Sequence, residues 1–381
     1  MTAAVESYQQ RAGTLAGGIL KQNAREVDMS GRFPRESVAA LGPELLGMCV
    51  PEEYGGGGQG LRAFAAVAET LAQGCSSTTM VFVMHVSAVQ AIAASPTFAG
   101  KAELLREIAA GRHLTTLALS EKGSRSQFWA PVSHMTQSNG QVSVSAEKSW
   151  VTSAGNADSY VASAQKPGAA SPFESTLFLV RRSDPAVRVQ RAFDGLGLRG
   201  NDSSPVSLQG VGVSDGDLIT PQGEGAAAML QVILPWFNVG SAAMSNGLCR
   251  AAVTTTAAHM QAGAFEHTGT ALRDLPTLRA RLADMCVRTE QAAALLDRTI
   301  TLIEQSAAEA PLFVLLTRLA SIEAAVDVTD LAMKACGGAA FSRHMDLERV
   351  FRDARAGCVM APTADHLREF TGRALTGLPL F

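Results

Sequence analysis

Lys148-Ser149-Trp150-Val151-Thr152-Ser153-Ala154-Gly155-Asn156-Ala157-Asp158 is the stretch on which the reading of this chain turns. It follows an alternating run, Gln141 to Ala146, and closes on Gly, Asn and Asp, the residues that end strands and make turns. Outward from it, short alternating segments recur at Ser159 to Ala164, Ser175 to Arg181 and Pro205 to Val213, punctuated by Gly, Pro, Ser, Asn and Asp. From about Thr115 to Gln222 this texture predicts an antiparallel β barrel or sandwich.

On both flanks the period changes to that of helices. Arg35 to Leu46, Gly60 to Gln73, Thr79 to Ala94 and Lys101 to Ala110 carry apolar residues three to four apart. After the strands, Ala226 to His259, Ala271 to Gln305, Ala310 to Cys336 and a last segment starting near Thr363 read as long helices, with Thr363 and Asp365 able to cap and charge the last one's first turn. The expected fold is therefore α+β in several parts: a helical domain over 1–114, a β domain over 115–222 and a C-terminal four-helix bundle over 223–381. Gly55 to Gly58 is the one glycine run, but no Gly-Lys-Ser/Thr follows it and no buried strand precedes it, so it reads as a connecting loop and not as a phosphate loop.

Composition narrows the partners. With 381 residues, 47% hydrophobic and 18% charged, the chain can bury a large core. A formal net charge of -3 offers no basic field for nucleic acid, and no lysine or arginine run suits an anionic membrane. Six scattered cysteines with no CxxC pair indicate neither zinc nor a disulfide framework, which fits a reducing cytoplasm. The N-terminus has no apolar signal segment, and the most apolar stretch, Ala226 to Gly240, is interrupted by Gln231 and Asn238, so no membrane span is expected.

Four motifs in this order resemble those of the acyl-CoA dehydrogenase superfamily. Val50-Pro51-Glu52-Glu53-Tyr54-Gly55-Gly56 is similar to its Pro-Glu-Glu-Tyr-Gly-Gly segment. Leu119 to Ser126 resembles Thr-Glu-Pro-x-x-Gly-Ser-Asp, with Lys122 in place of proline and Arg125 in place of glycine. The opening stretch resembles Lys-x-Trp-Ile-Thr-Asn, and Cys336-Gly337-Gly338 with Leu347 to Arg355 resembles the Gly-Gly…Glu-Arg…Arg-Asp-Ala stretch. The resemblance implies FAD as cofactor. In that reading Thr152 donates to the flavin N5, Trp150 forms a wall, Leu119 and Ser120 meet the pyrimidine edge, Ser126 reaches the diphosphate, and Gly337 and Gly338 approach the FAD of a neighbouring subunit. Plainer readings stand beside these. Trp150 can be a core aromatic, Thr152 a strand residue, Ser120 and Ser126 turn residues, and Gly337-Gly338 a helix end.

The sequence departs from the family where the chemistry is. The family's base is the Glu of a Glu-Gly-Thr triplet, which here becomes Ala361-Pro362-Thr363, and the earlier-helix seat used by some members falls on Phe237. Both seats lack a proton acceptor. His85, His267, His344 and His366 are substitutes to weigh, with Glu266 and Cys358 behind them, and Glu348, Arg349, Arg352 and Asp353 read as structural ion pairs. The family's Arg-x-x-Phe-Gly motif, whose arginine grips the FAD diphosphate across the dimer, appears as Phe265 to Gly269 without the arginine. The resemblance implies a flavin-dependent oxidoreductase acting on an acyl thioester of CoA or acyl carrier protein, with an electron acceptor flavoprotein or flavin reductase as partner. Other readings on the same scaffold are a flavin-dependent monooxygenase, a lyase-like activity at a thioester, and a non-catalytic homologue. A homodimer or homotetramer is expected in each.

Overall fold

The computed structural model describes residues 3–380. Its first third is helical: α1 (Ala3–Leu15), α2 (Lys21–Ser30), α3 (Arg35–Leu46), α4 (Leu61–Ala72), α5 (Ser76–Ala93) and α6 (Lys101–Ala109). In α4 the residues Leu61, Phe64, Ala68 and Leu71 recur every three to four positions, and all four are buried.

Strands follow as β1 (Thr115–Ala118), β2 (Met135–Ser138), β3 (Gln141–Val151), β4 (Ser159–Gln165), β5 (Ser175–Arg181), β6 (Val187–Val189) and β7 (Ser204–Val213). They form two sheets, ordered β1-β4-β5 and β2-β3-β7-β6. Of the two alternatives, the sandwich is the one realised, since neither sheet closes on itself. Side chains of both sheets, among them Tyr160 and Phe178 from one and Val144 and Val206 from the other, share one core. One pairing is not antiparallel: β1 runs parallel to β4. The chain between them visits the other sheet through β2 and β3, and that long crossover permits a parallel return. The β4 and β5 strands are buried on both faces because the side turned away from the sandwich packs its Val161, Leu177 and Leu179 on the helices.

The C-terminal part begins with α7 (Gly225–Ala228), which passes through a π-helical turn at Met229–Ile233 into α8 (Leu234–Ala262). Then come α9 (Pro276–Glu304), α10 (Ala310–Cys336), α11 (Gly338–Phe341), α12 (Leu347–Val359) and α13 (Ala364–Thr376). The four long helices expected from periodicity are α8, α9, α10 and α13. Helix α12 is an addition, and its buried Leu347, Val350 and Ala354 lay it on the bundle. Central α10 packs on α8, α9, α12 and α13. Ser76–Ala93 and Gly225–Ala262 are long and apolar enough to cross a bilayer, but 83% and 56% of their most apolar windows are buried inside the protein, as core helices require.

Candidate active site

Where the helical, β and bundle parts meet, the chain encloses a cavity of about 540 Å³. Leu119, Ser120, Ser126, Trp150 and Thr152 all line it, and so do both vacated base positions, Phe237 and Ala361. Residues far apart in the chain thus converge on one cavity.

The local cause is a break in a strand. Along the β3–β7 ladder Lys148 faces Val206 and Val151 faces Ser204, so Ser149 and Trp150 together oppose the single residue Pro205. Such a bulge re-aims side chains. Trp150 takes a left-handed φ of 57° and leaves the sandwich, where it stays 58% exposed. It is therefore not a core aromatic. Its ring stacks on Phe193 with centroids 4.0 Å apart, a flat apolar surface on the cavity wall. Thr152, one step beyond the bulge, is buried, and its hydroxyl takes no partner among the described residues. Arg125, Ser126 and Leu198 also line the cavity at positive φ, 47°, 70° and 51°. Non-glycine residues rarely hold this region, and strain of this kind gathers at functional sites.

Two motifs are tied together beneath this wall by Glu121 and Lys148, whose ion pair at 2.6 Å is buried on both sides. Glu121 also accepts from Val132 N at 2.7 Å, Ser133 N at 2.9 Å and Ser133 Oγ at 2.5 Å, while Lys148 donates to the Ser163 carbonyl at 2.6 Å. Burial pushes the Glu121 carboxyl up, but the Lys148 charge and these hydrogen bonds outweigh it and hold the carboxyl below its usual range. Burial lowers Lys148 against the opposing pull of Glu121. Among the described residues Glu121 is the one carboxylate lining the cavity, and it is committed to structure. The turn chemistry nearby belongs to Ser124, whose hydroxyl donates to the Glu121 carbonyl at 3.1 Å, and not to Ser120 or Ser126.

A second wall is the segment between β6 and β7. Leu198 N donates to Asp353 Oδ1 at 2.6 Å, and Ser76 donates to the other oxygen of the same carboxylate. Burial pushes the Asp353 carboxyl up, against Arg349 and these hydrogen bonds. Arg352 grips Asp28 with two hydrogen bonds, at 2.9 and 2.5 Å, and reaches the Leu196 carbonyl at 2.9 Å. A Cβ on Gly197 would lie 2.6 Å from the Arg352 carbonyl oxygen, so only glycine lets the segment sit this close to α12. The Arg349, Arg352 and Asp353 set, read from sequence as bundle-edge ion pairs, fastens a cavity wall to α12, α2 and α5.

The end formed by α8, α12 and the turn after it, called the inner end although its Val359 is 72% exposed, is different. Ile233, Phe237, Ala356, Val359, Met360 and Ala361 face it, and none carries a titratable group. Behind them lies fully buried Arg318, which donates to Ser241 and to the Met360 carbonyl at 3.1 Å and sits 4.7 Å over the Phe237 ring. No carboxylate pairs with it among the described residues, and burial brings its pKa down to about 9. Arg318 Nε, Asn238 Oδ1, Thr317 Oγ1 and Ser321 Oγ stay unsatisfied in this layer.

None of the substitute bases reaches the cavity. His85 is buried between the Leu46 carbonyl and the backbone of Thr115, with its pKa pushed down to about 4 by burial. His366 stacks on Phe370, burial raises the Cys358 thiol, and Glu266, His267 and His344 are exposed away from the cavity wall. Gly337 and Gly338, at the junction of α10 and α11, do not line the cavity either. Gly337 holds φ +56°, which ends α10, and beyond the local backbone no atom of the described residues lies within 4 Å of a Cβ built on either glycine. Sequence reasoning missed Met80, Met84 and Phe193, which line the cavity from a helix and a loop whose periodicity marks burial but not what is buried against.

The chain matches three family models: acyl-CoA dehydrogenase, N-terminal domain, over residues 2–112; the middle domain over 116–211; and the C-terminal domain over 223–376. It is 28% identical to the mitochondrial short-chain specific acyl-CoA dehydrogenase of Bos taurus, across 87% of this chain and 80% of that one. Its fold superimposes on butyryl-CoA dehydrogenase from Megasphaera elsdenii with a TM-score of 0.93, at 21% identity and 99% coverage of each chain. The FAD complex of PigA follows at a TM-score of 0.91 and 20% identity, covering 99% of this chain and 98% of that one.

Proposed function

The chain belongs to the acyl-CoA dehydrogenase family, and from that premise we propose that it is an FAD-dependent oxidoreductase acting on an acyl thioester without a protein carboxylate as base. The observation that carries this reading is the composition of one cavity. It holds Leu119, Ser120, Ser126, Trp150 and Thr152 together with Phe237 and Ala361, while its lone carboxylate, Glu121, is consumed by Lys148.

The residues suit the flavin on their own geometry. The Trp150–Phe193 stack offers a flat wall, and the partnerless Thr152 hydroxyl offers a donor at its edge. FAD supplies the hydride acceptor. Met80, Met84, Leu117, Phe128 and Ile233 make the remaining wall apolar enough to hold an acyl chain and exclude water. At the inner end nothing can take a proton from the carbon next to the thioester carbonyl. A positioned base is worth roughly 10²–10⁴-fold in rate, so the natural substrate is one acidic enough to lose that proton to solvent water before it is enclosed and to enter as its enolate, leaving only the hydride to pass on. The thioester is one of CoA or of a carrier protein, and electrons leave to a second flavoprotein. Gly337 and Gly338, beside the 86% exposed Phe341, are the surface for a second copy of the chain.

The test is an anaerobic titration of the FAD-loaded protein, following the visible band of the oxidised flavin. Thioesters acidified by an electron-withdrawing group next to the reacting carbon are expected to bleach the band, and plain butyryl-CoA to bleach it slowly. Fast bleaching by butyryl-CoA would sink the proposal that no base is present. Tight FAD with no bleaching by any thioester would instead favour a monooxygenase on this scaffold.

A further inference from the structure

Charge around the cavity is unbalanced in one place. Its charged lining residues are Glu121, Lys122, Arg125 and Arg199. Glu121 is cancelled by Lys148, and Arg199 is cancelled by Asp194 at 2.5 Å and held by the Asp28 carbonyl at 2.8 Å. The side chains of Lys122 and Arg125 have no hydrogen bond or ion pair among the described residues. Two cations therefore stand free on one exposed turn, three residues apart, next to the Ser126 hydroxyl.

The backbone there is unfavourable for an arginine. Arg125 sits at φ 47° and Ser126 at φ 70°, a conformation that glycine adopts without steric conflict. Glycine at 125 would relieve the strain, so the arginine carries a conformational cost that no hydrogen bond or ion pair of its side chain among the described residues offsets. A dianion bound there would offset it.

We propose that Lys122 and Arg125 bind the diphosphate of a nucleotide at the mouth of this cavity. The inference rests on the flavoprotein reading only in supplying the two sources of that chemistry, the diphosphate of FAD and that of CoA. A diphosphate brings two or more negative charges to two unpaired cations, and the Arg125 fork can hold its oxygens bidentately.

The experiment uses the full-length chain and its Arg125→Gly, Lys122→Ala and doubly substituted forms. FAD, FMN, butyryl-CoA and butyryl-pantetheine are titrated against each, the last two onto FAD-loaded protein, and thermal unfolding of the flavin-free chain is recorded in parallel. Arg125→Gly is expected to keep or raise Tm, because glycine accepts the left-handed φ. The same change should weaken binding of the diphosphate ligand about tenfold, more so in the double variant, and flatten the salt dependence of binding. If the source is the flavin, FAD weakens and its advantage over FMN shrinks. If the source is the substrate, butyryl-CoA weakens while butyryl-pantetheine and FAD hold. Variants that bind both FAD and butyryl-CoA within twofold of the parent overturn the proposal, and so does a parent chain that binds neither. Binding without flavin bleaching sinks the redox reading and leaves this one standing.

Discussion

The two ends of the cavity follow opposite rules. The outer end, from Ser120 through Trp150 to Leu198, is built of strained backbone, a buried ion pair and free cations. The inner end, from Phe237 to Ala361, is apolar and without a titratable group, with one uncompensated guanidinium and several unsatisfied polar atoms behind it. Side chains suited to a cofactor line one end, although the family's arginine is missing from Phe265 to Gly269, and no group able to move a proton lines the other. In a fold kept for one purpose the two ends would be expected to decay together. Their separation is what the proposed function accounts for, with a ligand to hold at the outer end and a substrate needing no carboxylate at the inner end.

The largest effect expected from breaking this contrast comes from restoring the missing group. Ala361→Glu puts a carboxylate on the inner wall, and flavin reduction by butyryl-CoA should rise by roughly 10²–10⁴-fold, measured by anaerobic stopped-flow absorbance. The apolar surroundings favour the neutral acid, so the gain should grow as pH rises through that group's titration. No gain at any pH would mean that the inner wall has been reshaped as well as discharged.

Next in size is the support of the outer end. Lys148→Met leaves the Glu121 carboxylate buried without a counter-charge, and urea unfolding should show a loss of about 3–5 kcal/mol. Adding Glu121→Gln should return a large part of it, because the uncompensated charge is then gone and an amide can still accept from Ser133. A double variant as unstable as the single one would assign the loss to packing instead of charge.

How much of this was legible beforehand follows from the same contrast. Periodicity found α3, α4, α6 and α10, and short apolar runs between turn residues found the four long strands, even though β4 and β5 are buried on both faces. It did not separate barrel from sandwich, nor foresee the parallel β1–β4 pair, since both depend on which strands meet across a crossover. Trp150 and Thr152 were identifiable by motif, but the bulge that turns Trp150 outward is a two-against-one register shift with Pro205 that no local pattern announces. Ala361 and Phe237 were visible as departures. The Asp353 clamp was not, because its partners Ser76 and Leu198 lie 277 and 155 residues away in sequence.

The smallest effect probes whether the two ends are mechanically separate. Directly after Ala361 and Pro362, the Thr363 hydroxyl caps α13 by accepting from His366 N at 3.3 Å. Thr363→Ala removes that acceptor and should cost about 1 kcal/mol in urea unfolding. Helix α13 packs on α10 and sets His366 and Phe370 against Trp129, three residues beyond Ser126, but the hydrogen bonds of the Thr363 cap reach none of the outer-end residues, so the flavin dissociation constant should stay within twofold of the parent. An equal loss in both measurements would show that the position of the 360–361 wall is transmitted across the cavity. The inner end could then no longer be treated as free to change while the outer end is retained, and the absence of a base would have to be explained together with cofactor binding.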